Sequence, residues 1–229
     1  MSESWPARGP FLRDRPLIVE ASGRPSAMDK QAADAPARLD RDGFKGDRVV
    51  NVQHHGGPDR TVCHYPAQHY ALWIRHYPFL EGELAPGAFG ENLSTEGLSE
   101  REVCIGDCFR WGEAVIQVSQ PRSPCSTLEA RHEAPRLSRR MSHEGAIGWL
   151  YRTLEPGWVA PDAPLERIGP HPARVSVARV WAIHMDTEAD DAKLQALAEL
   201  APLAKVYRDR FRQRLDYRRR QADQGRLFP

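Results

Sequence analysis

Apolar residues in the first three quarters of the chain recur in short runs, most of them bounded by glycine or proline. Leu17–Val19 lies between turn signals, and Val49–Val52 is rich in β-branched residues. Such runs at close spacing are typical of an all-β domain. Val103–Trp111 and Ala114–Val118 are separated by a Gly-Glu pair, which predicts a β-hairpin.

Two segments of the same region have helical spacing instead. Aromatic residues recur at intervals of three and four between residues 66 and 77, which predicts a helix there. Residues 127–150 are predicted to be mostly helical, with an interruption near Pro135. Further strands are expected over Trp149–Leu154 and within Val159–Ile168, where they complete the β domain.

Three helices are predicted after residue 174. Apolar spacing indicates the first over Val175–Met185. Thr187, followed three residues later by Asp190, resembles a capping box and opens the second. The third is expected over Pro202–Leu215, because proline suits a first helical turn.

These patterns divide the chain of 229 residues into two units. Residues 1–168 form the predicted β domain, whose first 20 residues are expected to be irregular. Residues 169–173, rich in glycine and proline, are the predicted linker. Residues 174–217 form a three-helix domain, and residues 218–229 are expected to be a loose tail. The predicted fold class is therefore a mostly β, barrel-like domain with a few helices, followed by a small all-α domain.

Composition and charge exclude several classes of protein. The 32 basic and 31 acidic residues leave a net charge of +1, which does not favour a polyanionic partner. No apolar run reaches the ~18 residues of a membrane span, and the N-terminus lacks a secretory pattern, so we expect a cytoplasmic location. The sequence contains neither a phosphate-binding Gly-x-x-x-x-Gly-Lys-Ser/Thr loop nor His-Glu-x-x-His.

The first candidate for chemistry is Cys125, at the end of the stretch Ser119–Cys125. Pro121 and Pro124 fix backbone angles there, so the loop can hold the thiol in one place. Arg122 lies three residues away, and a nearby cation favours the thiolate, which is a nucleophile and a soft metal ligand. A buried structural cysteine is the alternative interpretation.

The second candidate is the loop of residues 54–60, His-His-Gly-Gly-Pro-Asp-Arg. Glycine lets backbone amides approach an anion, and Arg60 can bind phosphate in a bidentate manner. A turn with hydrogen-bonded histidines is the alternative. A zinc site is also open, although the spacing matches none of the usual patterns. Its candidate ligands are His54, His55, Cys63 and His64.

A third loop, around Phe89–Leu93, contains two further candidates. The Asn92 amide offers two donors and an acceptor, which suit the edge of a heterocycle, and Glu91 is a candidate general base. An ordinary loop is the alternative. The basic residues of Arg208–Arg220 indicate a solvated helix face, with nucleic-acid or protein docking as the alternative.

Four stretches together resemble the MOSC family, the domain shared by molybdenum-cofactor sulfurase C-termini. They are most similar to its bacterial YiiM branch, which is associated with resistance to hydroxylaminopurine. The resemblance covers about residues 20–168, and the helical end resembles the three-helix domain that commonly follows this MOSC type. The stretches are residues 24–30, 54–60 with 64–66, 87–98 and 118–125.

The resemblance implies a pterin-based molybdenum cofactor, molybdopterin, with Cys125 as the protein ligand to molybdenum. It also implies an oxidoreductase that reduces N-hydroxylated compounds to the amine, among them hydroxylated purine and pyrimidine analogues and hydroxylamines, in a detoxifying role. The residues expected in catalysis are Cys125, His55 and Asn92. The residues expected to bind the cofactor are Cys125, Ser26, Lys30, His55, Arg60, Asn92, Arg122 and Ser123.

The expected partners follow from the same resemblance. The sequence carries no redox centre of its own, so a separate flavin or iron–sulfur reductase is the expected electron donor. A homodimer is considered, whereas a membrane, nucleic acid and pyridoxal phosphate are not expected. The alternative functions are a cofactor- or sulfur-carrier module without turnover and a zinc-dependent hydrolase using His54, His55 and Cys63.

The chain departs from the family pattern in two places. Relatives often show Gly-Asp-x-Gln-Ala-Asp before the histidines, where this chain has Val49 and Asn51 in place of the glutamine and the second aspartate. Ser126 and Thr127 follow Cys125 where relatives often carry a larger side chain. We therefore expect substrate preference to differ.

Overall fold

Fifteen short strands and seven α-helices build the part of the chain that a computed structural model describes, residues 3–227 without the side chains of residues 54 and 225–227. The strands are β1 Glu3–Trp5, β2 Ala7–Arg8, β3 Phe11–Leu12, β4 Leu17–Val19, β5 Arg24–Ser26, β6 Gln31–Ala32, β7 Ala37–Asp40, β8 Gly43–Phe44, β9 Val62–His64, β10 Ser94–Thr95, β11 Cys108–Trp111, β12 Ala114–Pro121, β13 Trp149–Glu155, β14 Gly157–Val159 and β15 Leu165–Gly169. The helices are α1 Val52–His55, α2 Gln68–His76, α3 Ser126–Arg131, α4 Leu137–Glu144, α5 Val177–Met185, α6 Asp191–Glu199 and α7 Lys205–Leu227, with a 3₁₀ turn at Pro78–Leu80.

The main sheet has six strands in the order β1-β15-β11-β12-β13-β9, and every neighbouring pair is antiparallel. It curls into a half-barrel, and smaller two- and three-stranded sheets flank it. The β11–β12 hairpin turns at the Gly-Glu pair, as the sequence predicts, with Trp111 paired to Ala114. The predicted mostly β fold with a helical C-terminal unit is confirmed.

Strand β12 lies in the middle of this sheet and is buried along almost its whole length. A strand with one wet face alternates apolar and polar residues, whereas one covered on both faces is continuously apolar. The second face of β12 is covered because α5 packs against it. The end of β12 therefore leaves a covered interior and leads directly into the loop that carries Cys125.

Three helices follow β15, as predicted, but two of their boundaries differ. Asp190, not Thr187, caps α6, because its own carboxylate accepts the backbone N–H of Lys193 at 2.8 Å. The third helix begins at Lys205 rather than Pro202 and runs to Leu227. Most of the predicted loose tail is thus a continuation of α7. The last two residues of that predicted tail, 228 and 229, lie outside the described part of the chain.

The half-barrel and the helices share one hydrophobic core. Phe109 and Ile116 from the sheet belong to the same buried cluster as Val180, Leu194 and Phe211 from the helices. Each such side chain stabilises the fold by ~1.5–3 kcal/mol when it leaves water. The helices are therefore packed into the β domain rather than tethered beside it.

Two further predictions at the N-terminal side are wrong. The β-branched pattern of Val49–Val52 predicts a strand, but Val49 and Val50 lie in a loop and Val52 begins α1. These valines are exposed, Val52 by 67 %, so no packed surface is available to hold them in a sheet. Within the first 20 residues, predicted irregular apart from the apolar run Leu17–Val19, that run forms β4 as expected, and the described segment also forms β1–β3. No helix among residues 3–227 is long and apolar enough to cross a bilayer.

Candidate functional site

Cys125 occupies the position just before α3, directly after the loop that leaves β12. The backbone N–H of Arg122 donates to the Gly148 carbonyl at 3.1 Å, and the Cys125 carbonyl accepts from Leu128 at 3.1 Å. These bonds tie both ends of the loop to regular structure. The thiol is half-buried, so it is held in place and still accessible.

The Cys125 thiol is surrounded by groups that favour its ionised form. Burial by itself raises its pKa, but hydrogen bonds from His55 and Thr127, the charge of His55 and the charge of Arg122 outweigh burial. Together they lower the pKa of Cys125 from 9.0 to about 6. Cys125 is therefore mostly a thiolate at neutral pH, and His55 and Arg122, two of the expected site residues, interact with it.

Arg122 supplies a cation that interacts with this thiolate. Its Nη2 donates to the Phe89 carbonyl at 2.6 Å, and its guanidinium lies 5.6 Å from the centre of the Tyr65 ring. Burial opposes its charge, but the thiols of Cys63 and Cys125 and the carboxyl group of Glu91 raise the pKa of Arg122. Its Nη1 is buried and has no hydrogen-bond partner among the described residues. A buried donor of this kind marks a place where a ligand atom or a water belongs.

Lys30 and Asn92 meet at a residue that the sequence analysis did not single out, Asp47. The Lys30 ammonium forms an ion pair with the Asp47 carboxylate, and Asn92 Nδ2 donates to the same carboxylate at 2.8 Å. Asn92 Nδ2 also donates to Phe11, and its Oδ1 accepts from the backbone N–H of Cys63 at 3.1 Å. Both amide protons of Asn92 are thus used within the protein, which makes it a scaffold for Lys30 in this conformation.

The loop that carries Lys30 packs tightly on the Phe-Gly-Glu-Asn loop. The Lys30 backbone N–H donates to the Gly87 carbonyl at 3.0 Å, and a Cβ on Gly87 would lie 2.4 Å from the Lys30 carbonyl. Only glycine fits that approach, which also requires a φ of +99°. Ser26, at the start of this loop, is buried, and its hydroxyl accepts from the backbone N–H of Met28 at 3.2 Å.

Glu91, the candidate general base, is fully buried. Its Oε1 accepts from the Tyr70 hydroxyl and from the backbone N–H of Gly87, and its Oε2 has no partner among the described residues. Burial is the main cause that raises the pKa of Glu91. The carboxyl group of Glu91 interacts with the charge of Arg122, which in turn interacts with Cys125. Glu91 is therefore adjacent to the candidate site and is linked to the thiolate through Arg122.

Arg60 contacts the end of β12, from which the cysteine loop leaves. Its Nε donates to Gln120 Oε1 at 3.4 Å and its Nη1 to the Gly56 carbonyl at 3.5 Å. Ser123, from the same loop as Cys125, shares a hydrogen bond of 3.1 Å with the hydroxyl of Tyr207 in α7. The helical domain therefore contacts the candidate site, a contribution that sequence reasoning missed.

The remaining cysteines do not form a metal centre among the described side chains. All four cysteines are free, and no group of three or more His, Cys, Asp or Glu side chains could hold an ion in the part that was described. His64, a candidate zinc ligand, has both ring nitrogens bonded to hydroxyls, of Tyr151 at 3.0 Å and Thr95 at 2.9 Å. His54, another candidate, has no described side chain.

Contacts link most of the predicted site residues into one region. Cys125 is hydrogen-bonded to His55, and the charge of Arg122 acts on both Cys125 and Cys63. The backbone N–H of Cys63 donates to Asn92, which is linked through Asp47 to Lys30. Asp47 lies in the Gly-Asp pair that the chain shares with its family pattern, so that pair was the signal that could have identified it. Cys63 and Tyr207 gave no such signal.

The fold and the site together define a class: a half-barrel protein that presents an activated thiolate among buried cations, with a helical unit at its edge. Comparison with known proteins supports this combination of a half-barrel domain and a helical domain. Residues 51–166 match the MOSC domain, and residues 175–217 match the YiiM-like, 3-alpha helix domain. The chain belongs to the MOSC family, in the form that also carries this helical domain. MOSC domains are associated with binding of the molybdenum cofactor.

Individual relatives support the same placement. The chain is 43% identical over 185 residues to "Protein YiiM" of Escherichia coli (strain K12), covering 81% of this chain and 82% of that one. The crystal structure of YiiM from Escherichia coli superposes with a TM-score of 0.76 at 36% identity, covering 93% of this chain and 92% of that one. A protein of Gibberella moniliformis named "Reductase" is 34% identical over 83% of this chain, which spans 34% of that longer protein.

Proposed function

We propose that this chain is a molybdenum-cofactor-dependent oxidoreductase that reduces N-hydroxylated compounds to amines. The observation that carries the proposal is the ionised thiol of Cys125, held by His55 beside the buried cation of Arg122. Membership of the MOSC family supports the cofactor, and the relative named "Reductase" supports a redox reaction.

The side chains of the site fit the chemical parts of this cofactor. A soft thiolate suits molybdenum, and cations suit the cofactor's phosphate. The buried Nη1 of Arg122, which lacks a partner among the described residues, is a donor that a pterin or phosphate oxygen would satisfy. Cys125 would bind the metal, and the residues that would hold phosphate or pterin are Ser26, Lys30, Arg60, Arg122 and Ser123.

The cofactor, when bound, would supply a two-electron reduction. The overall change is R–NHOH plus two electrons and two protons to R–NH₂ plus water, so the N–O bond breaks and its oxygen leaves as water. The chain's part is to bind, orient and protonate. His55 donates a hydrogen bond to Cys125 and would hold a proton close to the reacting nitrogen. Asn92 would position Lys30 through Asp47 instead of touching the substrate.

The electrons are proposed to come from a separate flavin or iron–sulfur reductase. The sequence has neither a nucleotide-binding motif nor an iron–sulfur cysteine pattern with which to accept them itself. A cytoplasmic location and a homodimer stay predictions of the sequence.

Elemental analysis tests the ligand assignment. The full chain is purified from a host that makes the cofactor, together with Cys125→Ala and the control Cys108→Ala, which removes another half-buried thiol. We expect the parent and the control to carry similar molybdenum and Cys125→Ala to lose most of it. Equal molybdenum in all three proteins would contradict the assignment of Cys125.

A turnover assay tests the reaction itself. Hydroxylaminopurine and a hydroxylated pyrimidine analogue are supplied with a chemical reductant, and amine formation is measured by chromatography. Amine formation that requires bound molybdenum supports the reductase. Bound cofactor without turnover on any N-hydroxylated substrate would favour the alternative, a carrier of cofactor or sulfur.

A further inference from the structure

Glu100 is a buried carboxylate in the turn that follows β10, and its side chain is only 5% exposed. Its Oε1 accepts from the backbone N–H of Ile147 at 2.9 Å and from that of Gly148 at 2.6 Å. Its Oε2 lies 2.9 Å from His69 Nε2, and its backbone carbonyl accepts from the N–H of Ala178 in α5 at 2.7 Å. A carboxylate is stable away from water only where such donors replace its hydration. Glu100 therefore fixes the segment that leads into β13.

Gly148 connects this carboxylate to the loop that carries Cys125. Its N–H donates to Glu100, and its carbonyl accepts from the backbone N–H of Arg122 at 3.1 Å. A Cβ on Gly148 would lie 2.3 Å from the His64 carbonyl, and its φ is +75°. Only glycine fits there, and the close approach leaves it no room to shift towards β9. The hydrogen bonds on the two sides of Gly148 therefore transmit the position of Glu100 to Arg122.

The bond between Arg122 and this segment matters to the loop because the prolines beside it cannot donate. Pro121 and Pro124 have no backbone N–H, so the N–H of Arg122 is a donor that fastens the start of the loop to the segment before β13. The guanidinium of the same arginine interacts with the Cys125 thiolate. A displacement of Arg122 therefore moves a cation relative to the thiol.

Tyr65 connects the same segment to the side chain of Arg122. The Tyr65 hydroxyl donates to the Ala146 carbonyl at 3.1 Å, and the Arg122 guanidinium lies 5.6 Å from the centre of the Tyr65 ring. The His69 ring packs edge-on against Tyr65, with the ring centres 5.6 Å apart, while His69 Nε2 reaches Glu100. The backbone and the side chain of Arg122 are thus both supported by the segment that Glu100 binds.

We propose that Glu100 is a positioning residue, which holds Arg122, and through Arg122 the Cys125 thiolate, in the geometry of the candidate site. Its carboxylate binds two consecutive backbone N–H groups, and the same segment binds the backbone of Arg122 directly and its guanidinium through Tyr65. His69 holds the carboxylate in place at Oε2. This role is exerted on the thiolate whatever reaction follows, so only its effect on turnover rests on the proposed function.

Thiol reactivity of the full-length chain is the first test. The chain is purified without cofactor, and the rate of Cys125 labelling by iodoacetamide is measured by mass spectrometry as a function of pH. The variants are Glu100→Ala, Glu100→Gln, His69→Ala and the control Glu102→Ala. Glu102 is exposed and accepts from the Ser99 hydroxyl at 2.7 Å. The control therefore removes a carboxylate two positions away that does not bind the segment before β13.

The parent and Glu102→Ala should reach half their maximal labelling rate near pH 6, because the pKa of the Cys125 thiol is about 6. In Glu100→Ala that midpoint should rise by roughly half a pH unit or more, since the cation of Arg122 is no longer held beside the thiol. Glu100→Gln keeps an oxygen that can accept from the two N–H groups but loses the charge, so its midpoint should lie between those of the parent and Glu100→Ala. Circular dichroism checks that each variant is folded. Equal midpoints in folded Glu100→Ala and Glu102→Ala would overturn the proposal.

Backbone hydrogen exchange is the second test. The N–H groups that lose the carboxylate exchange faster in any case, whereas faster exchange at Arg122 is expected only if the position of Gly148 is transmitted to the loop. The Arg122 N–H should exchange about tenfold faster in Glu100→Ala and at the parent rate in Glu102→Ala. Should Glu100→Ala fail to fold, Glu100→Gln and His69→Ala take its place, and parent-like midpoints and exchange in both would overturn the proposal.

Turnover distinguishes a failure of this role from a failure of the proposed function. If the chain is a reductase, Glu100→Ala should lower kcat about tenfold relative to Glu102→Ala at equal molybdenum content, because the reacting groups are displaced. Equal kcat in these two variants would contradict the role of Glu100. A parent protein without molybdenum or turnover would refute the proposed function and leave the labelling and exchange measurements valid.

Discussion

Replacement of Asp47 is the perturbation that tests the architecture of the candidate site most directly. Its carboxylate accepts from the backbone N–H of Arg13 at 2.9 Å and from Asn92 at 2.8 Å, and it pairs with the Lys30 ammonium. The side chains of Lys30 and Asp47 are only 7% and 9% exposed. Asp47→Ala would leave a buried ammonium without its counter-ion.

The size of the effect follows from that burial. Breaking a buried ion pair by removing one partner costs about 3–5 kcal/mol, because the remaining charge stays uncompensated. Asn92 also loses its acceptor, which destabilises the fold further. The two energies do not simply add, because Asn92 and Lys30 bind the same carboxylate. For a chain of this size, each kcal/mol corresponds to about 2–4 °C in Tm, so a decrease of about 6–20 °C is expected.

The assay is urea denaturation followed by circular dichroism, with Asp40→Ala as the matched control. Asp40 also pairs with two cations, Arg38 and Lys45, but at the surface, so its loss should change stability little. The double variant Lys30→Met, Asp47→Leu removes both charges and should recover most of the stability. If Asp47→Ala and Asp40→Ala lose equal stability, the reasoning about the buried pair is refuted.

Two predictions concern ionisation. Because the pKa of Cys125 is about 6, iodoacetamide labelling of the cofactor-free protein should reach half its maximal rate near pH 6, and His55→Ala should move that midpoint upward. Mass spectrometry measures the labelling, with Cys108, whose pKa is raised by burial, as the internal control. An unchanged midpoint in His55→Ala contradicts the prediction. Burial, with a small contribution from His69, lowers the pKa of His64 from 6.5 to about 3. The folded-state pKa of His64 lies below its unfolded-state pKa, so the unfolded chain binds a proton at His64 more readily than the folded one. The free energy of unfolding is therefore unaffected by His64 above about pH 6.5 and decreases as the pH falls towards 3. Between pH 6.5 and 5 this decrease in the free energy of unfolding amounts to about 2 kcal/mol, and His64→Gln should abolish that part of the pH dependence measured by urea denaturation. The same pH dependence in the variant and the parent would contradict the prediction.

Local patterns in the sequence predict much of this fold. The helix at Gln68–His76, the β11–β12 hairpin and the helix at Val177–Met185 follow from spacing and turn residues close in the chain. Val49–Val52 failed as a strand because its valines are exposed, and β propensity expresses packing against a neighbour that is absent there. The end of α7 was missed because its last turns are polar and carry no apolar period.

The residues of the candidate site likewise fall into those that the sequence could predict and those that it could not. Cys125 and Arg122 are neighbours in sequence, so their interaction could be anticipated, and the family resemblance added His55. Asp47 joins Asn92 across 45 positions and Tyr207 joins Ser123 across 84. No spacing rule reaches that far, because such contacts depend on how the sheet curls and where α7 docks.

The core that the half-barrel shares with α5–α7 has a consequence for biosynthesis. Strand β12 is made before α5, which packs against it, and before Tyr207 and Phe211 of α7, which belong to the same buried cluster, so this core stays incomplete on the ribosome until α7 has emerged. Exposed apolar strand surface of this kind is prone to aggregate and attracts chaperones. Truncation within α7 should therefore yield insoluble protein, because the core that α7 completes would stay exposed.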